Sequence, residues 1–395
     1  MTETRFRNGR LPHGRTVDIA IRDGLFTALE EPHPKQDEGV AVEDLGGMLV
    51  LPGLIDGHIH LDKTFLGLPW RPHRAGPTVP DRIAAEKAGR AELTLSVEER
   101  AKTFLAREAS LGTVALRSHV DIDPDSGLDH LHQVMAAREA YAGIVDVQLV
   151  AFPQSGVLIA PGVLDLLDAA LSEGVELVGG LDPVGIEGDM DGHLDLIFAL
   201  AEKHGVGVDI HLHDPGHRGA RELRAIAART AALGMQGRVT VSHAFALATV
   251  DDRTLDLTIG DLRDADVAIL TSAPGTGNLI PVVRLREAGV RVFAGSDNVR
   301  DAWSPFGNGD MLERAMLVAY RAGLRTDEGL TLAFDLCSGA AAQALGYGPY
   351  GLEVGARADF VTVDAETLAE AVVDRPARSL VVKGGRVTAR DGKVV

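Results

Sequence analysis

The stretch Leu51-Pro-Gly-Leu-Ile-Asp-Gly-His-Ile-His-Leu-Asp62 decides the fold. A short apolar run ends in His58 and His60, one residue apart. On a β-strand, residues i and i+2 share a face, so both imidazoles reach one metal ion from a single strand end. On a helix the two would diverge by about 200°, at 3.6 residues per turn. The stretch therefore predicts a strand that delivers two ligands at its C-terminal end.

Working outward, similar apolar runs recur about every thirty residues. They cover 51–60, 113–122, 145–154, 175–183, 206–214, 238–245, 266–272 and 290–298. Helical patterns separate them, among them 82–92, 97–110, 129–141 and 219–233. Eight strands alternating with helices predict an α/β chain built as a (β/α)8 TIM-like barrel, with a doubly wound sheet as runner-up. Residues 17–30 read as a hairpin turning at Asp23-Gly24, and 358–364 and 379–388 read as strands. The two chain ends are expected to pair into a small β-sandwich domain. The predicted division is 1–50 and 350–395 for that domain and 51–349 for the barrel.

Composition excludes several classes. The 395 residues carry a formal charge of −18, which opposes nucleic-acid binding, and 4% aromatics give little for base stacking. No run approaches the ~20 apolar residues of a membrane span, and Met1-Thr-Glu-Thr-Arg-Phe-Arg lacks a secretory apolar core. Cys337, the only cysteine, precludes an internal disulfide and a cysteine-based zinc site, and fits the reducing cytoplasm. Other motifs fail. Asp121-Ile-Asp-Pro-Asp-Ser-Gly127 has its glycine one position late for a calcium loop and His132 where the closing glutamate belongs. Gly275-Thr-Gly277 is too short for a dinucleotide fingerprint.

Polar residues end nearly every predicted strand: His58 and His60, His119, Gln154, Asp182, His211 with Asp214, His243, Ser272, and Asp297 with Asn298. Barrel active sites form at that face. Imidazoles with a carboxylate suit one divalent ion, zinc or iron, and the expected ligands are His58, His60, His211 and Asp297. Such an ion lowers the pKa of bound water towards neutrality. Asp297 is then expected to accept the water's proton, Asp214 to protonate a substrate ring nitrogen, and His243 to hydrogen-bond the attacked centre. Gln154, with one acceptor and two donors, suits an amide-like ring edge. His119 is read as a wall of the site, and His213 is left between ligand and pocket residue. No lysine ends the fourth strand at Gly179-Gly-Leu-Asp-Pro183, which favours one metal over two.

Together these segments resemble the amidohydrolase superfamily in its cytosine deaminase-like branch, from about residue 48 to 310. His58-Ile-His60-Leu-Asp62, Arg117-Ser-His-Val-Asp121, Val150-Ala-Phe-Pro-Gln154, Val208-Asp-Ile-His-Leu-His-Asp214, Arg238-Val-Thr-Val-Ser-His243 and Gly295-Ser-Asp-Asn-Val-Arg-Asp-Ala-Trp-Ser-Pro-Phe-Gly307 carry the likeness. The resemblance implies a substrate-binding role for Gln154, with His119, Asn298 and Lys63 beside it. Asp214 stands where cytosine deaminases carry glutamate, Asn298 and His213 where they carry acids, and Ser296 where they carry histidine. Lys63 replaces a threonine and is similar to the branch that contains N-isopropylammelide aminohydrolase. The implied activity is metal-dependent hydrolytic deamination, or removal of an alkylamine, at a C–N carbon of a pyrimidine or triazine. Ring-opening of a cyclic amide and a non-catalytic remodelled barrel are the alternatives. A nitrogen heterocycle is the expected partner, and a homo-oligomer is left open.

Overall fold

The computed structural model describes residues 3–32, 40–74, 76–275, 277 and 279–395. Met1, Thr2 and Thr276 of the segments quoted above lie outside the described residues. Eight strands form one parallel sheet in sequence order: Leu54–Ile59, Thr113–Asp121, Asp146–Phe152, Leu177–Leu181, Gly207–Leu212, Val239–His243, Ala268–Thr271 and Val292–Ala294. A parallel bridge between Ile59 and Asp297 brings the first and last together and closes the barrel. Two glycines permit that closure. A Cβ on Gly57 would meet the Phe293 ring at 2.4 Å, and one on Gly295 would meet the His58 backbone nitrogen at 2.5 Å. Any larger residue would hold the two strands apart. Asp56, fully buried, spans the same seam, and its Oδ1 accepts the N–H of His58 (3.1 Å) and of Ser296 (2.8 Å).

The helices form where the local chemistry directs. Val97–Ser110 starts at Ser96, whose hydroxyl accepts from Glu99 N–H while Glu99 reaches back, a capping box. Ala101, Phe104, Leu105 and Ala109, on one helical face, are buried against the barrel. Val79–Gly89 starts the same way from Thr78 and Asp81, with Pro80 in its first turn.

The run 51–60 is not one strand. Leu49–Pro52 belongs to the second sheet, pairing Phe360–Val363, and the barrel strand begins only at Leu54. The predicted boundary at residue 51 thus falls inside a strand of the terminal sheet. Gly53 makes the joint, packed so closely on Val114 that a Cβ would sit 2.6 Å away. Among the described residues the terminal sheet has nine strands, with Thr16–Arg22 and Leu25–Glu30 as the expected hairpin and Arg378–Lys383 and Arg386–Arg390 from the C-terminal end. Its own core sets Phe6, Ile19 and Phe26 against Phe360, Leu380 and Val382, the arrangement of a small sandwich. No helix among the described residues is long and apolar enough to cross a membrane.

Candidate metal centre and active site

Two imidazoles from the first strand meet the aspartate after the eighth, and one from the fifth joins them. His58 Nε2 and His60 Nε2 each lie 3.6 Å from Asp297 Oδ1, and His211 Nε2 lies 3.3 Å from His60 Nε2. Four donors at about 2.1 Å from one ion stand about 3.0–3.4 Å apart, so these separations suit a shared divalent cation. Burial, then the neighbouring imidazoles, hold His58 and His211 well below the ordinary histidine pKa; for His60 burial comes first and Lys63 second. All three are neutral and offer lone pairs. His58 Nε2 is buried with no protein hydrogen-bond partner, an orphan that a metal would satisfy.

The tautomer of His58 follows from its neighbours. Ser242 donates its single hydroxyl hydrogen to Asp209 Oδ1 at 2.8 Å, and lies 3.0 Å from His58 Nδ1. The hydroxyl must therefore accept from Nδ1–H, which leaves Nε2 bare and aimed at the other donors. Asp209 is itself held by Arg117 at 2.9 Å. This is the carboxylate–relay–histidine support that fixes a metal-binding ring.

The backbone is strained where these groups project. Asp182 (φ 33°), His243 (φ 72°) and Asp297 (φ 61°) occupy the left-handed region at three strand ends. Each costs about 1–3 kcal/mol, and such outliers cluster at functional sites.

A cavity of about 400 Å³ opens over the cluster, lined by His60, His211, His243, Asp297, Gln154 and Lys63 among others. Asp297 Oδ2 lies 4.0 Å from His243 Nδ1, so one carboxylate oxygen faces His58 and His60 and the other faces His243. Lys63 is buried, not a solvated loop charge. Its ammonium donates to Gln154 Oε1, lies 3.0 Å from Asp121 and 3.4 Å from Glu86, and sits 5.2 Å from the Trp303 ring centre. Burial opposes the charge, but Asp121, Glu86 and Asp62 outweigh it and raise its pKa. Gln154 Nε2 is buried without a partner and remains free to donate to a ligand. Asn298 also lines the cavity, with Nδ2 donating to Asp301 at 2.7 Å.

Two of the expected residues stand off the cavity wall. Asp214 does not line the cavity. Its carboxylate accepts from Gly185 N–H (2.7 Å) and Arg218 (3.2 Å). Strand alternation explains it, because positions 211 and 213 share the inward face and 214 points away. His213 takes the inward place, with Nδ1 on Asp182 at 2.8 Å and its ring stacked on His243 at 4.6 Å. Asp182 thereby raises the His213 pKa against the effect of burial. His119, expected at the substrate, instead packs behind the cluster, 4.1 Å from the His58 ring, fully buried and off the cavity wall. Sequence reasoning missed Glu86 and Trp303. The only signal was indirect: a buried Lys63 demands countercharges, and Trp303 lies in the quoted loop after Asp297.

Comparison with known proteins agrees with this geometry. A family profile described as the amidohydrolase family matches residues 41–395. The chain is 35% identical over 357 residues to the N-isopropylammelide isopropyl amidohydrolase of Pseudomonas sp. strain ADP, covering 89% of each. The crystal structure of N-isopropylammelide isopropylaminohydrolase from Burkholderia multivorans superposes with a TM-score of 0.96 at 44% identity, over 100% of both chains. A 5-methylcytosine deaminase structure from Klebsiella pneumoniae shares the fold, with a TM-score of 0.85 at 24% identity over 98% of this chain and 97% of that one. The chain belongs to the amidohydrolase family and is a hydrolase of carbon–nitrogen bonds other than peptide bonds.

Proposed function

We propose that this protein removes ammonia or an alkylamine from a carbonyl-bearing nitrogen heterocycle, a triazine before a pyrimidine. His58, His60, His211 and Asp297 hold one divalent ion, zinc or iron by the donor set. When bound, that ion supplies the polarisation that makes water a nucleophile near neutral pH. The observation that carries the reading is the meeting of two buried imidazoles, His58 and His60, with Asp297, and of His211 with His60, beneath a cavity.

The remaining roles follow from the side chains. Asp297, whose Oδ2 turns away from His58 and His60 towards His243, takes the proton of the attacking water and returns it to the leaving nitrogen. His243 stabilises the charge that develops at the attacked carbon. Gln154 donates Nε2–H to a ring carbonyl, and the Lys63 ammonium beside it favours an anionic or carbonyl-rich ring edge. Asn298 contacts the same ring from the eighth strand, and His213 holds it from the fifth. The preference for a triazine rests on the likeness to the two N-isopropylammelide enzymes and on Lys63. The lone buried thiol of Cys337 suits a cytoplasmic setting.

The test is turnover of oxo-substituted aminotriazines and aminopyrimidines by protein reconstituted with zinc or iron. Released ammonia or alkylamine is expected. A new carboxylate would mean ring-opening instead, and turnover that survives complete metal removal would refute the proposal.

A further inference from the structure

A second, larger cavity lies against the outer side of the Lys63 wall. It encloses about 800 Å³ between the loop after the first strand, the helices Val79–Gly89 and Val97–Ser110, and the loop 300–305. Lys63 lines both cavities. Glu86, which accepts from Trp303 Nε1 at 2.5 Å, completes the partition.

Three arginines from three separate elements line this chamber: Arg74, Arg100 and Arg300. Among the described residues none of them has a carboxylate within ion-pair distance, whereas their neighbours Arg71 and Arg90 are paired with Glu92 and Glu86. Arg100 is only 3% exposed, donates to the Thr64 carbonyl, and keeps a buried Nε with no partner. Asp62 and Glu86 act on this guanidinium only from beyond ion-pair distance, and its fork of donors matches a planar oxyanion. Arg300 lies 5.5 Å over the Trp70 ring, which is 66% exposed and offers an apolar face to a flat ligand. Asp62, Glu86, Glu92 and Asp301 also line the chamber, but Lys63, Arg71 and Arg90 stand beside the three arginines, so cations outnumber acids there in a chain of net charge −18.

We propose that this outer chamber is a binding site for a small planar organic oxyanion, a carboxylate or a ring imidate, held by Arg74, Arg100 and Arg300 against Trp70. The site is separate from the catalytic cavity and does not depend on the reaction assigned to it.

The chain has two tryptophans, Trp70 in the chamber and Trp303 on the catalytic wall, so Trp303→Phe leaves Trp70 as the sole reporter. The metal-loaded full chain of that variant is titrated with benzoate, barbiturate and neutral benzamide while tryptophan emission is followed. Benzoate or barbiturate should change the emission saturably, and the tighter of the two tells carboxylate from imidate. Benzamide should be silent. Adding Arg300→Gln or Arg74→Gln should weaken the anion by about tenfold or more, as loss of a charge-assisted hydrogen bond does. Both arginines sit towards solvent, which keeps the test independent of any folding defect in Arg100→Gln. Titration after chelation should return the same dissociation constant. No saturable response to either anion, an equal response to benzamide, indifference to the arginine substitutions, or loss of the response on chelation would each overturn the proposal.

Discussion

Replacing Ser242 with alanine removes one hydroxyl that touches no substrate, yet the structure makes it decisive for metal affinity. That hydroxyl accepts from His58 Nδ1–H at 3.0 Å and donates to Asp209 at 2.8 Å. Without it, His58 loses the partner that fixes its tautomer, and the proton is free to occupy Nε2, the nitrogen aimed at Asp297. Loss of such outer support typically lowers metal affinity about 10–100-fold, or about 1.4–2.8 kcal/mol. Asp209 Oδ1 also loses a donor in a buried site, so the metal-free fold should lose about 1–2 kcal/mol. The two effects separate experimentally. Chelator competition gives the metal dissociation constant, and urea unfolding of metal-stripped protein gives the fold's own loss. Metal added to the variant should also raise its melting temperature less than in the wild type, because stabilisation by a ligand follows its affinity. A Ser242→Ala protein that binds metal as tightly as the parent would refute the relay.

Other outcomes follow from the same geometry. Lys63→Met strips the countercharge from Asp121 and Glu86 and should cost about 3–5 kcal/mol in thermal or urea unfolding, with kcat/KM falling about 10–100-fold; an equally stable and active variant would contradict the wall described here. Asp214→Asn should leave turnover within about tenfold of the parent, because the side chain faces Gly185 and Arg218, whereas Asp297→Asn should abolish it. Steady-state kinetics on both variants decide this. Glu222, pushed up to about 8 by burial and by nearby Asp214, holds its proton in the fold but loses it from about pH 4.5 upward in the unfolded chain. The folded state then binds more protons, so this group erodes stability as pH rises from about 4.5 to 8. Glu222→Gln should lessen that decline, by on the order of 2–4 kcal/mol at pH 8 relative to pH 5, measured as the difference between urea-unfolding free energies. Parallel pH profiles for variant and parent would remove Glu222 from the argument.

The reading of particular residues shows where sequence logic holds and where it stops. Strand periodicity placed His58 and His60 on one face because a two-residue repeat is a property of local backbone geometry. The same rule, carried past the end of the fifth strand, would have turned Asp214 outward and His213 inward; the family pattern pointed to Asp214 instead. His119 obeyed its strand and still failed to reach the cavity. It sits deeper than the rim, beneath His58, and depth along a tilted strand is fixed by the neighbouring strands. Glu86 and Trp303 carry no local signature, because Glu86 meets Lys63 from a separate helix and Trp303 reaches Glu86 across 217 positions.

The sequence by itself determined the alternation of strands and helices, the strand ends that bear chemistry, and the imidazole and carboxylate donors, since these depend on neighbours a few residues away. Only the tertiary structure decided which of those donors converge. It also buried Lys63 against Asp121 and Glu86, set Asp214 off the cavity wall, and gathered three arginines around a second chamber. Those outcomes rest on contacts closed through the barrel seam at Gly57 and Gly295, and long-range contacts depend on the packing of the whole chain, which no local pattern encodes.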